Sequence, residues 1–500
     1  MRKIMFLLVV GLISTVSAQN TIWSYHATGS FWVHIRSIKN IPDVDGDGHA
    51  DVIAVSENDT LYCLSGMSGA PIWRFVADPC YVERGLIFVP DLDGDSIADV
   101  VLGTIWGTRS VFAIAGATGD TIWQYDTHEY GQGGWIYEVS QMIDIDGDSV
   151  VDILASAGGP DATRIYLFSG ATGDKIWEYN AGYACFGVRE VGDLDGDSIP
   201  DVAASTGNSG PSAYRVVFLN GANGDSIRTV MLPSAGWTVV PIGDISGDTI
   251  PDVACGLSNG SILAISGANG TVLWTTSVSG TVVDLNLLPD VDGNGYPELL
   301  PSGTGMYNFY CIDAFSGNVI WSTPAVDQIF VNVPIPDITG DRIWDVVGGT
   351  GFNTSILYAI NGATDSIIWQ RNMSGPVESA YWIDDVDGNN MPDILAGTRD
   401  GWIYAISDGY VGIAETEVTS PSINIMVNSF GRLEIRHNLP CGKHMNVEIY
   451  SVVGQKLANI SVSADNNPIT LHLEPIPSGV YFCKINIDNL TKVLKFIVLK

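Results

Sequence analysis

The sequence predicts an all-β protein: an eight-bladed β-propeller closed by its N-terminal strand, followed by a small β-sandwich tail. Three observations carry this reading. An Asp- and Gly-rich loop recurs eight times at a nearly constant interval. A second motif, usually ending in Trp, follows the first seven copies, and the strand missing after the eighth stands near the start of the chain. Four short strands in a period of roughly 40–50 residues are the mark of a propeller blade.

Residues 1–18 come first. Arg2 and Lys3, an apolar run from Ile4 to Ile13 and the small residues Val16-Ser17-Ala18 have the layout of a secretory signal peptide cleaved after Ala18. The apolar run is shorter than the ~20 residues of a membrane-spanning helix. No Cys stands at the cleavage point for a lipid anchor, and no later stretch is long enough to cross a bilayer.

Residues 19–409 hold the repeat. The pattern D-x-[DST]-G-[DN]-x-x-x-[DE]-[VIL] begins at Asp43, Asp91, Asp144, Asp193, Asp244, Asp290, Asp337 and Asp385, at intervals of 48, 53, 49, 51, 46, 47 and 48 residues. Strings such as AGATGDTIW and SGATGDKIW follow, bringing Trp73, Trp123, Trp177, Trp274, Trp321 and Trp369, with Arg228 as the exception. In the first unit Trp32–Ile41, Ala50–Val55, Thr60–Ser65 and Pro71–Phe75 read as the four strands. After the eighth loop only Asp393–Gly397 and Trp402–Ser407 remain, and Thr21-Ile22-Trp23-Ser24-Tyr25 matches Thr121-Ile122-Trp123-Gln124-Tyr125. A ring uses such a permutation and an open solenoid does not; closure also protects strand edges. The Trp series reads as core, filling the wedge between blades.

In the first loop, Asp43 to Asp51, the acids fall at positions 1, 3, 5 and 9, so alternate side chains converge, and the carbonyl of position 7 can join them. Several anionic oxygens at that spacing fit Ca²⁺, which takes 6–8 oxygen ligands, better than Mg²⁺. An Asp/Gly turn that only caps a hairpin is the alternative; eight in-register copies favour the metal. The expected ligands of the first four units are Asp43, Asp45, Asp47 and Asp51; Asp91, Asp93, Asp95 and Asp99; Asp144, Asp146, Asp148 and Asp152; and Asp193, Asp195, Asp197 and Asp201. The later units are less acidic: Asp244, Ser246, Asp248 and Asp252; Asp290, Asp292, Asn294 and Glu298; Asp337, Thr339, Asp341 and Asp345; and Asp385, Asp387, Asn389 and Asp393. Up to eight Ca²⁺ are therefore expected, tightest in the first four units and weakest in the seventh, where Arg342 enters the loop.

These Asp loops resemble those of FG-GAP and VCBS repeats, the units of integrin α-subunit propellers, where a calcium loop joins the first two strands of a blade. The second motif resembles the tryptophan-docking repeat of pyrroloquinoline-quinone-type propellers, which implies that it locks adjacent blades. The two resemblances span about residues 20–409. One departure stands out: the family loop favours Gly at position 6, kept here only by Gly48 and Gly295, with Ser96, Ser149, Ser198, Thr249, Arg342 and Asn390 elsewhere.

After a linker at 410–420, residues 421–500 change character. Glycine regularity fades and Lys returns, and Val447-Glu448-Ile449-Tyr450 and Val480–Ile485 alternate like strands. The strings VEIYSVVGQKL, PIPSGVYFCKIN and TKVLKFIVLK, in that order, resemble the C-terminal sorting domain of type IX secretion substrates. That implies a tail recognised by the secretion machinery and an extracellular or outer-surface location. An accessory binding sandwich is the alternative.

Composition narrows the function. The chain has 56 Asp+Glu against 23 Lys+Arg and a net charge of -33, yet 46% of its residues are hydrophobic, so general disorder is excluded. Nucleic acid is an unsuitable partner because no basic surface exists to meet phosphates. The loops hold half of the acid, so the charge reports on the fold more than on a partner. No His pair, nucleophile elbow or P-loop appears, and no two of the seven Cys are adjacent, as a quinone dehydrogenase of this shape would often have. Cys63 and Cys311 read as small core residues, while Cys441 and Cys483 could pair in the tail.

A non-catalytic module binding an extracellular protein or glycan is therefore expected, with a polysaccharide lyase or quinone-dependent dehydrogenase as alternatives. Seven residues before each loop stand Arg36, Arg84, Tyr137, Phe186, Trp237, Val283, Phe330 and Glu378, a ring facing the central channel. From these and their neighbours the ligand candidates are His34, Arg36, Arg84, Tyr137, Trp237 and Glu378. Tyr130 and Trp135 join them on the glycine-rich insert 128–135, read as exposed. An ordinary funnel without ligand remains open.

Overall fold

The computed structural model describes residues 20–29, 32–80, 83–208 and 210–408, then 424–427, 433–436, 444–451, 455–463, 469–471, 479–487 and 490–498. The signal-peptide reading of residues 1–18, the linker 410–420 and Cys441 lie outside them. Two compact units divide at Tyr410 and Val411.

The first unit is all-β and of propeller type, built of four-stranded antiparallel sheets. Sheet 1 comprises Ile35–Ile41, Asp51–Ser56, Thr60–Leu64 and Pro71–Val76, and sheets 2 to 7 follow at 86–126, 135–180, 184–231, 236–277, 284–324 and 329–372. Sheet 8 takes Val377–Ile383, Asp393–Thr398 and Trp402–Ile406, and its fourth strand is Thr21–His26. That strand runs antiparallel to Trp402–Ile406, with Trp23 opposite Ala405 and Tyr25 opposite Ile403. The first strand of sheet 1 begins at Ile35 rather than Trp32, because the chain carries Trp32 out into solvent before it joins the ladder.

Burial explains the strand sequences. Second strands such as Asp51–Ser56 (DVIAVS) are buried at every position, since both faces meet neighbouring sheets and no polar face is needed. Fourth strands such as Thr121–Asp126 (TIWQYD) alternate, with Trp inward.

Each inward Trp ties its sheet to the next. The indole N–H donates to the Gly66 carbonyl from Trp23, to Gly116 from Trp73, to Gly170 from Trp123, to Gly221 from Trp177, to Ala314 from Trp274 and to Gly362 from Trp321. Trp369 donates to the Asp408 carbonyl. At the remaining junction Arg228 reaches the Gly267 and Ala268 carbonyls with its two terminal nitrogens, doing by charge what the indoles do. The motif's second Gly is required where it stands: Gly119 has φ 75° and a Cβ there would lie 2.7 Å from the Trp73 ring.

The second unit contains a three-stranded sheet (Asn424–Val427, Leu433–Arg436, Ile469–Leu471) and a four-stranded one (Lys456–Ser463, His444–Ser451, Gly479–Ile487, Leu490–Val498), both antiparallel. Met445, Val447 and Ile449 alternate inward with Tyr481, Cys483 and Ile485. Cys63 and Cys311 are fully buried in the first unit, each paired in register with a motif Trp.

Candidate metal loops and ligand cavities

The Asp loops are held open by their own amides. In the third loop Asp144 accepts from Gly147 N at 2.6 Å and Ser149 N at 2.8 Å, and Asp148 accepts from Val150 N at 2.8 Å. Asp152 Oδ2 accepts from Ile145 N at 2.7 Å and Oδ1 from Gly170 N at 3.2 Å, binding the loop to the glycine that receives Trp123. Position 6 has positive φ in every loop, from 68° at Asn390 to 92° at Gly48 and Gly295. The substituted residues thus keep the glycine geometry and carry its steric cost.

Carboxylate oxygens converge. Those of Asp43, Asp45 and Asp51, of Asp91, Asp93 and Asp99, of Asp144, Asp146 and Asp152, of Asp193, Asp195 and Asp197, and of Asp290, Asp292 and Glu298 each lie within 4.8 Å of one another. The amides of Gly147 and Ser149 hold the Asp144 carboxyl below its ordinary range. Position 9 behaves oppositely: burial pushes Asp51, Asp99, Asp152, Asp201 and Asp345 up to about 6, and Glu298 and Asp393 to about 7. Asp393 is fully buried, and its Oδ1 meets no hydrogen-bond donor among the described residues. An all-oxygen, anionic donor set converging within 4.8 Å fits a hard divalent cation.

The second motif also reaches the loops. Asn220 Nδ2 donates to Asp195 and Asp197 at 2.9 Å, and Asn361 Nδ2 to Asp341 at 2.8 Å. In loops six and eight the pair is exchanged: Asn294 donates to Asp313 at 2.9 Å and Asn389 to Asp408 at 3.0 Å. The acid lost at position 5 is replaced from the end of the third strand or just beyond it. Asp313 and Asp408 were not among the expected residues, although for Asp313 the motif string DAFSG, where the fourth unit has NGANG, carried the signal.

The ring residues meet, and most are engaged. Arg84 is buried and spans five sheets: it donates to Glu138 at 2.6 Å, to the Phe186, Trp237 and Val283 carbonyls at 3.3, 3.2 and 3.1 Å, and lies 3.1 Å from Asp284. Arg36 donates to Glu57 at 2.9 Å and Glu378 at 3.1 Å, while His34 Nδ1 lies 3.0 Å from Glu57. Burial works to raise the Glu57 carboxyl, but the His34 contact and the Arg36 charge hold it below its ordinary value. Tyr137 packs edge-on against Phe186, which stacks on Trp237 at 4.4 Å.

The insert is less exposed than its sequence suggested. Tyr130 is half-buried because the Arg164 guanidinium lies 3.9 Å over its ring and its hydroxyl donates to Glu178. Trp135 is half-buried, edge-on to Trp106 at 5.1 Å. Two separate hollows flank these groups. One, of about 770 Å³, is lined by Trp32, His34, Arg36, Glu57, Asp59, Asp78 and Trp106; the other, of about 500 Å³, by Trp135, Tyr137, Tyr214 and Trp237. Trp106 and Asp59 had escaped the repeat pattern because they sit in turns of unequal length.

Known proteins were compared with this geometry. Human protein FAM234B is 25% identical over 364 residues, covering 65% of this chain; the chain spans 58% of that protein's length. Among solved structures, Sqt1 of Saccharomyces cerevisiae superposes with a TM-score of 0.57 at 12% identity, over 78% of this chain and 98% of Sqt1. Quinohemoprotein alcohol dehydrogenase from Comamonas testosteroni gives 0.52 at 14% identity, over 79% of this chain and 77% of the enzyme. Both likenesses are of fold. Residues 11–276 and 258–383 match the family described as outer membrane protein assembly factor BamB, and residues 429–499 match the secretion system C-terminal sorting domain. The chain therefore belongs to the BamB-like family of PQQ-type propeller repeats and ends in a sorting domain that directs export.

Proposed function

We propose that the chain carries a cleaved signal peptide, is exported by the type IX route, and serves at the cell surface or beyond it as a calcium-stabilised binding module. Its propeller has eight blades and is closed by the N-terminal strand, and its ligand is a protein or glycan. The sorting domain supports the destination. Convergence of three carboxylates in loop after loop, with no Lys or Arg ion-paired to them among the described residues, carries the calcium reading. The likeness of the loops to FG-GAP repeats supports it further. Pairing of Thr21–His26 into sheet 8 supports closure.

Binding without catalysis is supported by how the polar groups are spent. A lyase acting on acidic sugars needs a free cation to neutralise the uronate, and Arg36 and Arg84 are both committed to buried acids. Cys80, beside Arg36, has its thiol pushed up to about 12 by burial and is a poor nucleophile.

Melting the mature protein in Ca²⁺, in Mg²⁺ and in excess chelator tests the calcium part. The expected result is a marked fall in Tm with chelator that Ca²⁺ restores and Mg²⁺ does not. Equal melts in all three would reduce the loops to structural turns. A glycan and protein array tests the binding part, and unsaturated-uronate release from pectic substrates would overturn the non-catalytic one.

A further inference from the structure

We propose that the hollow beside Trp32 and Trp106 binds an aliphatic ammonium group; this rests on the binding reading above and names the chemistry of its site. At about 770 Å³ the hollow is of ligand size. Two of its indoles face water, Trp32 at 68% and Trp106 at 50% exposure. Large aromatic surfaces left exposed around one hollow mark an interaction site. Trp106 is also held at φ 58°, a conformation costly for a bulky side chain, with its carbonyl accepting from Arg109 Nε at 2.7 Å.

Charge then selects the ligand. Arg36 is taken up by Glu57 and Glu378, whereas Asp59 and Asp78 have no ion partner among the described residues. Burial, and after it the Asp78 charge, raise the Asp59 carboxyl above its ordinary value. Asp59 stands at φ 60° in a three-residue turn whose counterpart is Gly260 in sheet 5 and Gly401 in sheet 8. An acid occupies a position where the same fold elsewhere uses glycine. Indole faces attract organic cations most strongly among the aromatics, and two uncompensated carboxylates add to that attraction while repelling phosphates and uronates.

The calcium-loaded protein is titrated with choline and with its uncharged tert-butyl isostere, followed by calorimetry and tryptophan fluorescence. Choline is expected to bind at least tenfold more tightly than the isostere, the equivalent of about 1.4 kcal/mol. Lysine methyl ester and glucosamine in parallel identify a protein side chain or an amino sugar as the source. The double variant Asp59→Asn/Asp78→Asn should keep its Tm and lose the preference, and Trp106→Ala should weaken every ammonium probe. Equal binding of choline and isostere, or no binding of any ammonium probe to folded protein, overturns the proposal. A protein or glycan ligand found by array that choline does not displace would also overturn it while leaving the binding reading intact.

Discussion

Asp313 and Asp408 show how one residue can move a charge without losing it. In the fourth, sixth, seventh and eighth units, position 5 of the loop and the first residue of the following motif touch, one an acid and the other an amide. The sixth and eighth loops are therefore not short of acid, and the expected drop in affinity there should be smaller than a count of loop acids implies. Asp313→Asn should weaken calcium at the sixth loop on the order of tenfold, and adding Asn294→Asp should restore it, as read by titration. The Trp series gives a second test. Trp177→Ala removes a buried indole and orphans the Gly221 carbonyl, at a cost of about 3–5 kcal/mol in denaturant unfolding. Arg228→Trp, at the one junction without an indole, should instead add on the order of 1 kcal/mol.

Among elements, the strand that enters sheet 8 from the other end of the repeat has the clearest consequence. Deleting residues 20–26 leaves Trp402–Ile406 with an unpaired edge, and the expected outcome is self-association on size exclusion. Strands and loops were legible in the sequence because their signals are local: four acids in nine residues, or a Trp a fixed step after a Gly. Trp32 and Val33 were misread as strand, since alternation continues beyond the bond from Glu57 N to the His34 carbonyl that starts the ladder. The exposure expected of Tyr130 and Trp135 failed for another reason: Arg164, Glu178 and Trp106, which cover them, belong to other turns and strands. Arg84 is the extreme case, with acceptors 54 to 199 positions away that no local pattern could assign.

For the whole molecule, the position-9 acids set a pH response. The carboxyls of Asp51, Asp99, Asp152, Asp201 and Asp345 stand at about 6 in the fold and those of Glu298 and Asp393 at about 7, and burial raises Asp252 as well. In an unfolded chain such groups stand at about 3.9–4.3. Between those values the folded state holds protons that the unfolded state has released, so metal-free stability falls as pH rises through that window. Position-1 acids such as Asp144, held low, act in the opposite sense and only below about pH 4. In chelator, Tm should therefore be higher at pH 5 than at pH 7, and Ca²⁺ should remove or reverse the difference; a flat profile in chelator would contradict the burial of these groups.

The position of Trp402–Ile406 within sheet 8 also decides how the unit meets a pull. The chain leaves the propeller from a strand flanked on one side by Asp393–Thr398 and on the other by Thr21–His26. Tension along that strand would load both ladders together in shear, where an outer strand would have only one ladder to hold it. Against a pull in that direction, the seam between the two ends of the repeat is a mechanical clasp.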